Sequence, residues 1–184
     1  MSILKQLLGL GAEPEKKEAK QAGDTETVRK IVAELEALEP ERARYLAAFA
    51  YILGRVAHAD LDISAEETRK MEEIVQGFGH LPAEQAILIV QIAKSQNRLL
   101  GGTENFLVTR EFKQISTPEK RHELLDCLFA VSAADESISA AEEAQVRQIA
   151  SELGLSHGDY VQARSAYSRH REVLKPLARP SGGD

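Results

Sequence analysis

The sequence has no tryptophan, a single cysteine and few aromatic residues, which make up 5% of its 184 residues. A lone thiol, Cys127, cannot form an intramolecular disulfide, so the chain is not a disulfide-stapled domain. Cys127 lies in an apolar run, and we expect it to be buried as a small core residue. Apolar residues make up 43% of the sequence, enough to bury one core of ordinary domain size.

Long hydrophobic runs and excess positive charge are absent as well. The longest apolar stretch, residues 45–54, has about half the length needed to cross a bilayer and is closed by Arg44 and Arg55. We therefore expect no transmembrane helix. The net charge of −6 argues against nucleic acid as a partner, because phosphate binding needs clustered Lys and Arg, and it favours cations or basic surfaces.

No segment alternates apolar and polar residues over the length of a strand, whereas helical spacing recurs from Asp24 onward. We therefore predict an all-α fold, a compact bundle of about seven helices. Three Ser-x-x-Glu segments match the capping box, which marks helix starts. These segments are Ser64 with Glu67, Ser116 with Glu119, and Ser139 with Glu142.

The chain divides into four predicted parts. Residues 1–10 form a short amphipathic helix, residues 11–24 a charged linker, residues 25–174 the helical domain, and residues 175–184 a disordered tail. Residues 1–10 have one lysine and too short an apolar region for a secretory signal, which favours the cytoplasm. They could fray or pack on the domain itself, or dock on a partner protein or, at most weakly, on a membrane surface.

An acidic motif occurs twice, with Asp60 and Asp135 as its first carboxylates. When the two copies are aligned on these Asp residues, Ile63 matches Ile138, and the capping pair that starts at Ser64 matches the one that starts at Ser139. We interpret this pattern as an internal helix, acidic loop, helix repeat, with units at about residues 41–80 and 117–156. The two units are predicted to be related by a pseudo-twofold axis.

The repeated loops combine carboxylates, a hydroxyl and backbone carbonyls, the oxygen ligands that Ca²⁺ and other hard cations prefer. The candidate ligands are Asp60, Asp62, Glu67, Asp135, Glu136 and Glu142. Neither motif is an EF-hand: with each Asp counted as position 1, position 12 is Met71 or Val146 instead of the required Glu. A second interpretation stays open, in which the carboxylates only cap helices and carry solvated charge, and the two roles can coexist.

The chain contains the motif Ala-Asp-x-x-Ile-Ser twice. With this doubled motif, its acidic charge and its helical pattern, it resembles the TerB family of tellurite-resistance proteins. The resemblance covers roughly residues 45–171. It implies a non-enzymatic helical bundle linked to metal or oxyanion stress, with Asp60, Glu67, Asp135 and Glu142 as proposed cation ligands. The family usually has glycine after each Asp, whereas this chain has Leu61 and Glu136, for which a turn with positive φ is costly.

No arrangement of residues at catalytic spacing is visible, and we expect no enzyme. The sequence contains one Glu-x-x-His segment, from Glu119 to His122, whereas a carboxylate-bridged di-iron bundle needs two. No cofactor other than a divalent cation is expected. Two hypotheses remain, a cation-binding stress module and a metal-independent adaptor for another protein, similar to a co-chaperone or a signalling accessory domain.

Overall fold

The computed structural model describes residues 21–57, 64–96, 105–134 and 137–168. The predicted helix at residues 1–10, most of the linker and the tail lie outside these ranges. The described part is all-α, as predicted, with eight helices where the sequence predicted about seven. They are α1 (Gln21–Glu36), α2 (Pro40–Val56), α3 (Ala65–Gly79), α4 (Ala83–Gln96), α5 (Asn105–Ile115), α6 (Pro118–Ser132), α7 (Ala140–Glu152) and α8 (His157–Ser165).

Two boundaries differ from the prediction. Helix α1 begins at Gln21, so the last residues of the predicted linker are helical. The capping box expected at Ser116 and Glu119 is wrong, because the Thr117 side chain caps α6 by accepting from the Lys120 N–H. Pro118 explains the shift: it occupies the first helical position, so the residue before it becomes the N-cap. The Ser116 hydroxyl instead donates to the Phe112 carbonyl in α5.

Helix α2 is the centre of the bundle. Pro40 suits the first turn of a helix, where its missing N–H costs nothing. The helix macrodipole favours an acidic residue in the first turn and a basic one in the last turn, and these are Glu41 and Arg55. Most of its residues are buried, and it packs against α1, α4, α5, α6 and α7. Its small residues allow close approach: a Cβ on Gly54 would lie 3.5 Å from the Ala93 carbonyl oxygen of α4.

Aromatic side chains join the central helix to α5. The Phe112 ring of α5 lies 5.2 Å from that of Tyr45 and 6.1 Å from that of Phe49, centroid to centroid. Phe49 and Phe112 are both fully buried. Cys127 is buried in the same core, which confirms the prediction from its apolar surroundings.

The remaining helices surround this core. Helix α3 packs against α4 and α6, and α8 packs against α6 and α7. The two acidic motifs join α2 to α3 and α6 to α7, in the helix, loop, helix order predicted from the repeat. The pseudo-twofold relation between the two units stays a prediction. Within the described ranges, no helix is long and apolar enough to cross a membrane.

Candidate functional site

Each acidic motif ends in a complete capping box. At the start of α3, Glu67 Oε2 accepts from the Ser64 N–H at 2.7 Å, and Ser64 Oγ accepts from the Glu67 N–H at 3.2 Å. At the start of α7, the corresponding distances between Ser139 and Glu142 are 2.8 and 3.2 Å. The sequence prediction is confirmed at both positions. Both boxes hold a glutamate carboxylate at the same place, at the end of an acidic loop.

The structure places two of the six candidate ligands, the glutamates of these boxes. Glu67 is exposed and Glu142 is half-buried. The other four, Asp60, Asp62, Asp135 and Glu136, lie outside the described residues, as does Leu61. In the residues that are described, no three His, Cys, Asp or Glu side chains form a group that could hold a metal ion. A cation site would therefore need ligands from the rest of the loops.

Hydrogen bonding keeps Glu67 in the form that a cation requires. The Ser64 side chain, and then its backbone N–H, lower the pKa of the Glu67 carboxyl below its ordinary value. A glutamate carboxyl is already ionised at neutral pH, and this shift extends its ionised range to lower pH. One ionised carboxylate has about four lone-pair sites, so its capping bond does not use up its capacity as an acceptor.

A lysine contact near the second loop was not found from the sequence. Lys70 of α3 donates its Nζ–H to the carbonyl oxygen of Ala134, the residue just before Asp135. An ammonium group of the first unit therefore lies at the entrance to the acidic loop of the second unit. Only the packing of α3 against α6 creates this contact, and no signal in the local sequence predicts it.

The two helix starts also differ one residue after the capping glutamate. Glu143 is buried, and its Oε1 lies 2.6 Å from Arg164 Nε and 3.3 Å from the Tyr160 hydroxyl of α8. The corresponding residue of the first motif is Thr68, whose Oγ1 accepts from Lys94 Nζ at 2.8 Å. Glu143 is thus neutralised by α8, through contacts that no local pattern in the sequence predicts.

A buried ion pair fixes the end of α2, from which the first acidic loop leaves. Arg55 Nη1 donates to Glu152 Oε2 at 2.7 Å and to Thr109 Oγ1 at 2.8 Å, linking α2 to α7 and α5. The two charged side chains are 4% and 9% exposed. With the Gln145 amide oxygen turned towards Arg55, that oxygen accepts from Arg55 Nε at 3.2 Å. The position of α2's last turn is therefore set by polar contacts with two other helices.

The capping boxes lead to a direct stability test. We expect Ser64→Ala and Ser139→Ala each to lower the free energy of unfolding by about 1 kcal/mol, because an N-cap hydroxyl is lost. Urea denaturation followed by circular dichroism measures this loss. Aspartate is also a good N-cap residue, so Ser64→Asp and Ser139→Asp should restore most of the stability. Wild-type stability in both alanine variants would show that the boxes are not stabilising.

Comparison with known proteins supports the resemblance drawn from the sequence. The family model described as "Tellurite resistance protein TerB" matches residues 45–165, from the first turns of α2 to the end of α8. No curated protein and no solved structure matches the chain. The matched residues include most of the central helix, both acidic motifs and the capping boxes at Ser64 and Ser139. Since it spans about two thirds of the 184 residues, the chain belongs to the TerB family.

Proposed function

We propose that this protein is a non-enzymatic TerB-family module of the tellurite and metal stress response that binds a divalent cation, with Ca²⁺ as the first candidate. The ligands come from its two acidic interhelical loops, with Asp60, Asp62 and Glu67 in the first and Asp135, Glu136 and Glu142 in the second. The observation that supports this proposal most is the repeated capping geometry. It holds a glutamate carboxylate at the end of each loop, where oxygen ligands are needed.

Charge and chemistry support the same proposal. A hard cation needs several oxygen ligands, and the ligands must be deprotonated before they bind. Glu67 meets the second condition, since a glutamate is deprotonated at neutral pH and the hydrogen bonds with Ser64 lower its pKa further. The sequence supplies the remaining carboxylates at the residues immediately before each capping box, and the net charge of −6 favours a cationic ligand.

Thermal unfolding of chelator-stripped protein tests the proposal. A cation at about 100 times its dissociation constant adds roughly 2.7 kcal/mol to the stability of the folded state. For a chain of this size we expect the thermal midpoint to rise by about 5–10 °C with millimolar Ca²⁺. Asp60→Asn combined with Asp135→Asn should abolish the rise and leave the helical circular-dichroism signal intact.

A matched control removes the same two negative charges elsewhere. Glu34 and Glu36 are exposed on α1, and the variant Glu34→Gln/Glu36→Gln should retain the full rise with Ca²⁺. If this control also loses the rise, the effect comes from overall charge instead of the loops. If the wild type shows no rise with Ca²⁺, Mg²⁺ or Zn²⁺, the cation proposal fails.

The second candidate is a metal-independent adaptor that binds another protein. Two observations favour it: Lys70 already places a positive charge beside the second loop, and Phe106 and Leu107 of α5 are each 55% exposed. Adjacent exposed apolar side chains are typical of contact surfaces. This candidate is supported if no cation shifts the thermal midpoint and a partner captured by the wild type is lost by a folded Phe106→Ser/Leu107→Ser variant.

The proposal includes no catalysis, and the surroundings of two potentially reactive side chains support this part of it. His122 belongs to the one Glu-x-x-His segment of the sequence. Both of its ring nitrogens are engaged in contacts within the fold, one with the Pro118 carbonyl and one with Asp159. Cys127 is buried, and burial raises the pKa of its thiol, which removes the thiolate that a nucleophile needs. The surroundings of both side chains therefore fit a structural role.

A further inference from the structure

His122 of α6 lies between two hydrogen-bond acceptors. Its Nδ1 is 2.8 Å from the Pro118 carbonyl oxygen, one turn earlier in α6, and its Nε2 is 3.2 Å from Oδ1 of Asp159 in α8. A neutral imidazole has one N–H donor, so it can donate to only one of them. The imidazolium form has two N–H groups and satisfies both acceptors. Both hydrogen bonds therefore form together only when the imidazole is protonated.

Asp159 connects this contact to the start of α8. Its other oxygen, Oδ2, accepts from the Ser156 N–H at 2.8 Å and from the Ser156 hydroxyl at 2.6 Å, completing a capping box. Hydrogen bonds from the Ser156 side chain and backbone, followed by the contact with His122, lower the pKa of Asp159 to about 2. The carboxylate thus stays ionised throughout the pH range in which a histidine titrates.

Acidic groups on both helices face His122. Asp159 lies on α8, and Asp126 and Glu119 lie on α6 itself. Partial burial alone would lower the pKa of His122, but the hydrogen bonds to Pro118 and Asp159 and the charges of Asp159 and Asp126 outweigh it, so the pKa is raised. At any given pH, folding therefore increases the protonated fraction of His122.

Helix α8 also covers groups on its neighbours. Its Tyr160 ring lies 5.7 Å from that of Phe129 of α6, centroid to centroid. Its Arg164 and the Tyr160 hydroxyl lie on the buried carboxylate of Glu143, next to the capping glutamate of α7. Any loosening of α8 would uncover this carboxylate beside the second acidic loop.

We propose that His122 is a proton-dependent clamp that joins the start of α8 to α6, so that mild acid tightens α8 on the bundle and alkaline pH loosens it. The pKa of the histidine is higher in the folded than in the unfolded chain. The added stability is therefore fully present below the unfolded-state pKa and is lost as the pH rises through the folded-state pKa. Because Asp159 remains ionised, the clamp persists well into the acidic range. The proposal is independent of cation binding.

Hydrogen exchange of the α8 amides tests the clamp. An exposed ion pair is worth little, so we expect the opening equilibrium of α8, corrected for intrinsic exchange, to increase by about two- to five-fold from about pH 5.5 to about pH 8. His122→Gln should remove this pH dependence. His157 is the matched control, since it lies at the first position of α8 and stacks on Tyr160, and His157→Gln should keep the pH dependence.

A second measurement is the ring titration of His122 by NMR. We expect its pKa to fall in Asp159→Asn, because the amide oxygen of the new side chain can still accept from the Ser156 N–H but carries no charge. The proposal is overturned if His122→Gln retains the wild-type pH dependence of α8 exchange. It is equally overturned if Asp159→Asn leaves the pKa of His122 unchanged.

Discussion

We expect the Arg55→Met variant to be about 3–4 kcal/mol less stable than the wild type, because it leaves the Glu152 carboxylate buried without its partner. Arg55 makes a two-pronged contact, with Nη1 2.7 Å and Nη2 3.3 Å from the two carboxylate oxygens of Glu152. Thr109 receives a further bond from Nη1 at 2.8 Å. One substitution therefore disrupts contacts among α2, α5 and α7 together. Urea denaturation at neutral pH measures the loss.

The pKa of Glu152 gives the reason for this cost. Burial alone would raise the pKa of Glu152. Hydrogen bonds with Arg55 and Thr109, together with the charge of Arg55, outweigh burial, so the pKa is lowered. Without Arg55 the burial effect dominates, and the carboxylate must either take up a proton or draw in water.

The double variant Arg55→Met/Glu152→Leu separates the stranded charge from lost packing. Replacing both members of a buried pair by apolar residues is often nearly neutral, so we expect the double variant to recover at least half of the loss. If the double variant is as unstable as the single one, the stranded carboxylate is not the cause. If Arg55→Met is as stable as the wild type, the pair does not hold the three helices together.

Phe112→Ala should cost about 3–5 kcal/mol, the range for truncating a fully buried phenylalanine. The Phe112 ring is inaccessible to solvent and contacts the rings of Tyr45 and Phe49. Its removal leaves a cavity between α5 and the central helix, which the rigid rings on the other side cannot fill. The thermal midpoint should fall by roughly 10 °C.

Phe106 provides the matched control for this experiment. It lies on the same helix, but 55% of its surface is exposed, so Phe106→Ala should change the stability by about 0.5 kcal/mol or less. Equal losses in the two variants would contradict the burial that the structure assigns to Phe112.

Local rules in the sequence predicted much of the fold, because helix starts depend on neighbouring residues. The Ser-x-x-Glu pattern located the first residues of α3 and α7 correctly. At α6 the same pattern was misleading, since Pro118 set the first helical position and made Thr117 the cap. A proline constraint on the backbone prevails over a capping box that starts one residue too early.

The candidate site was predictable only where it depends on local contacts. The roles of Glu67 and Glu142 as capping residues follow from three-residue spacing, and both were found. Two other features arise from the packing of one helix on another. Lys70 contacts the Ala134 carbonyl, and Glu143 is buried under Arg164, although the partners are far apart in the sequence. No spacing rule in the sequence carries such information.

Calorimetric titration of Ca²⁺ into chelator-stripped protein tests the central claim most directly. The proposed function predicts saturable binding to the wild type and none to Asp60→Asn/Asp135→Asn, with Glu34→Gln/Glu36→Gln binding as the wild type does. Equal binding by the wild type and the Asp60/Asp135 variant would contradict the assignment of the cation to these loops. The absence of binding of Ca²⁺, Mg²⁺ and Zn²⁺ to the wild type would contradict the cation proposal itself.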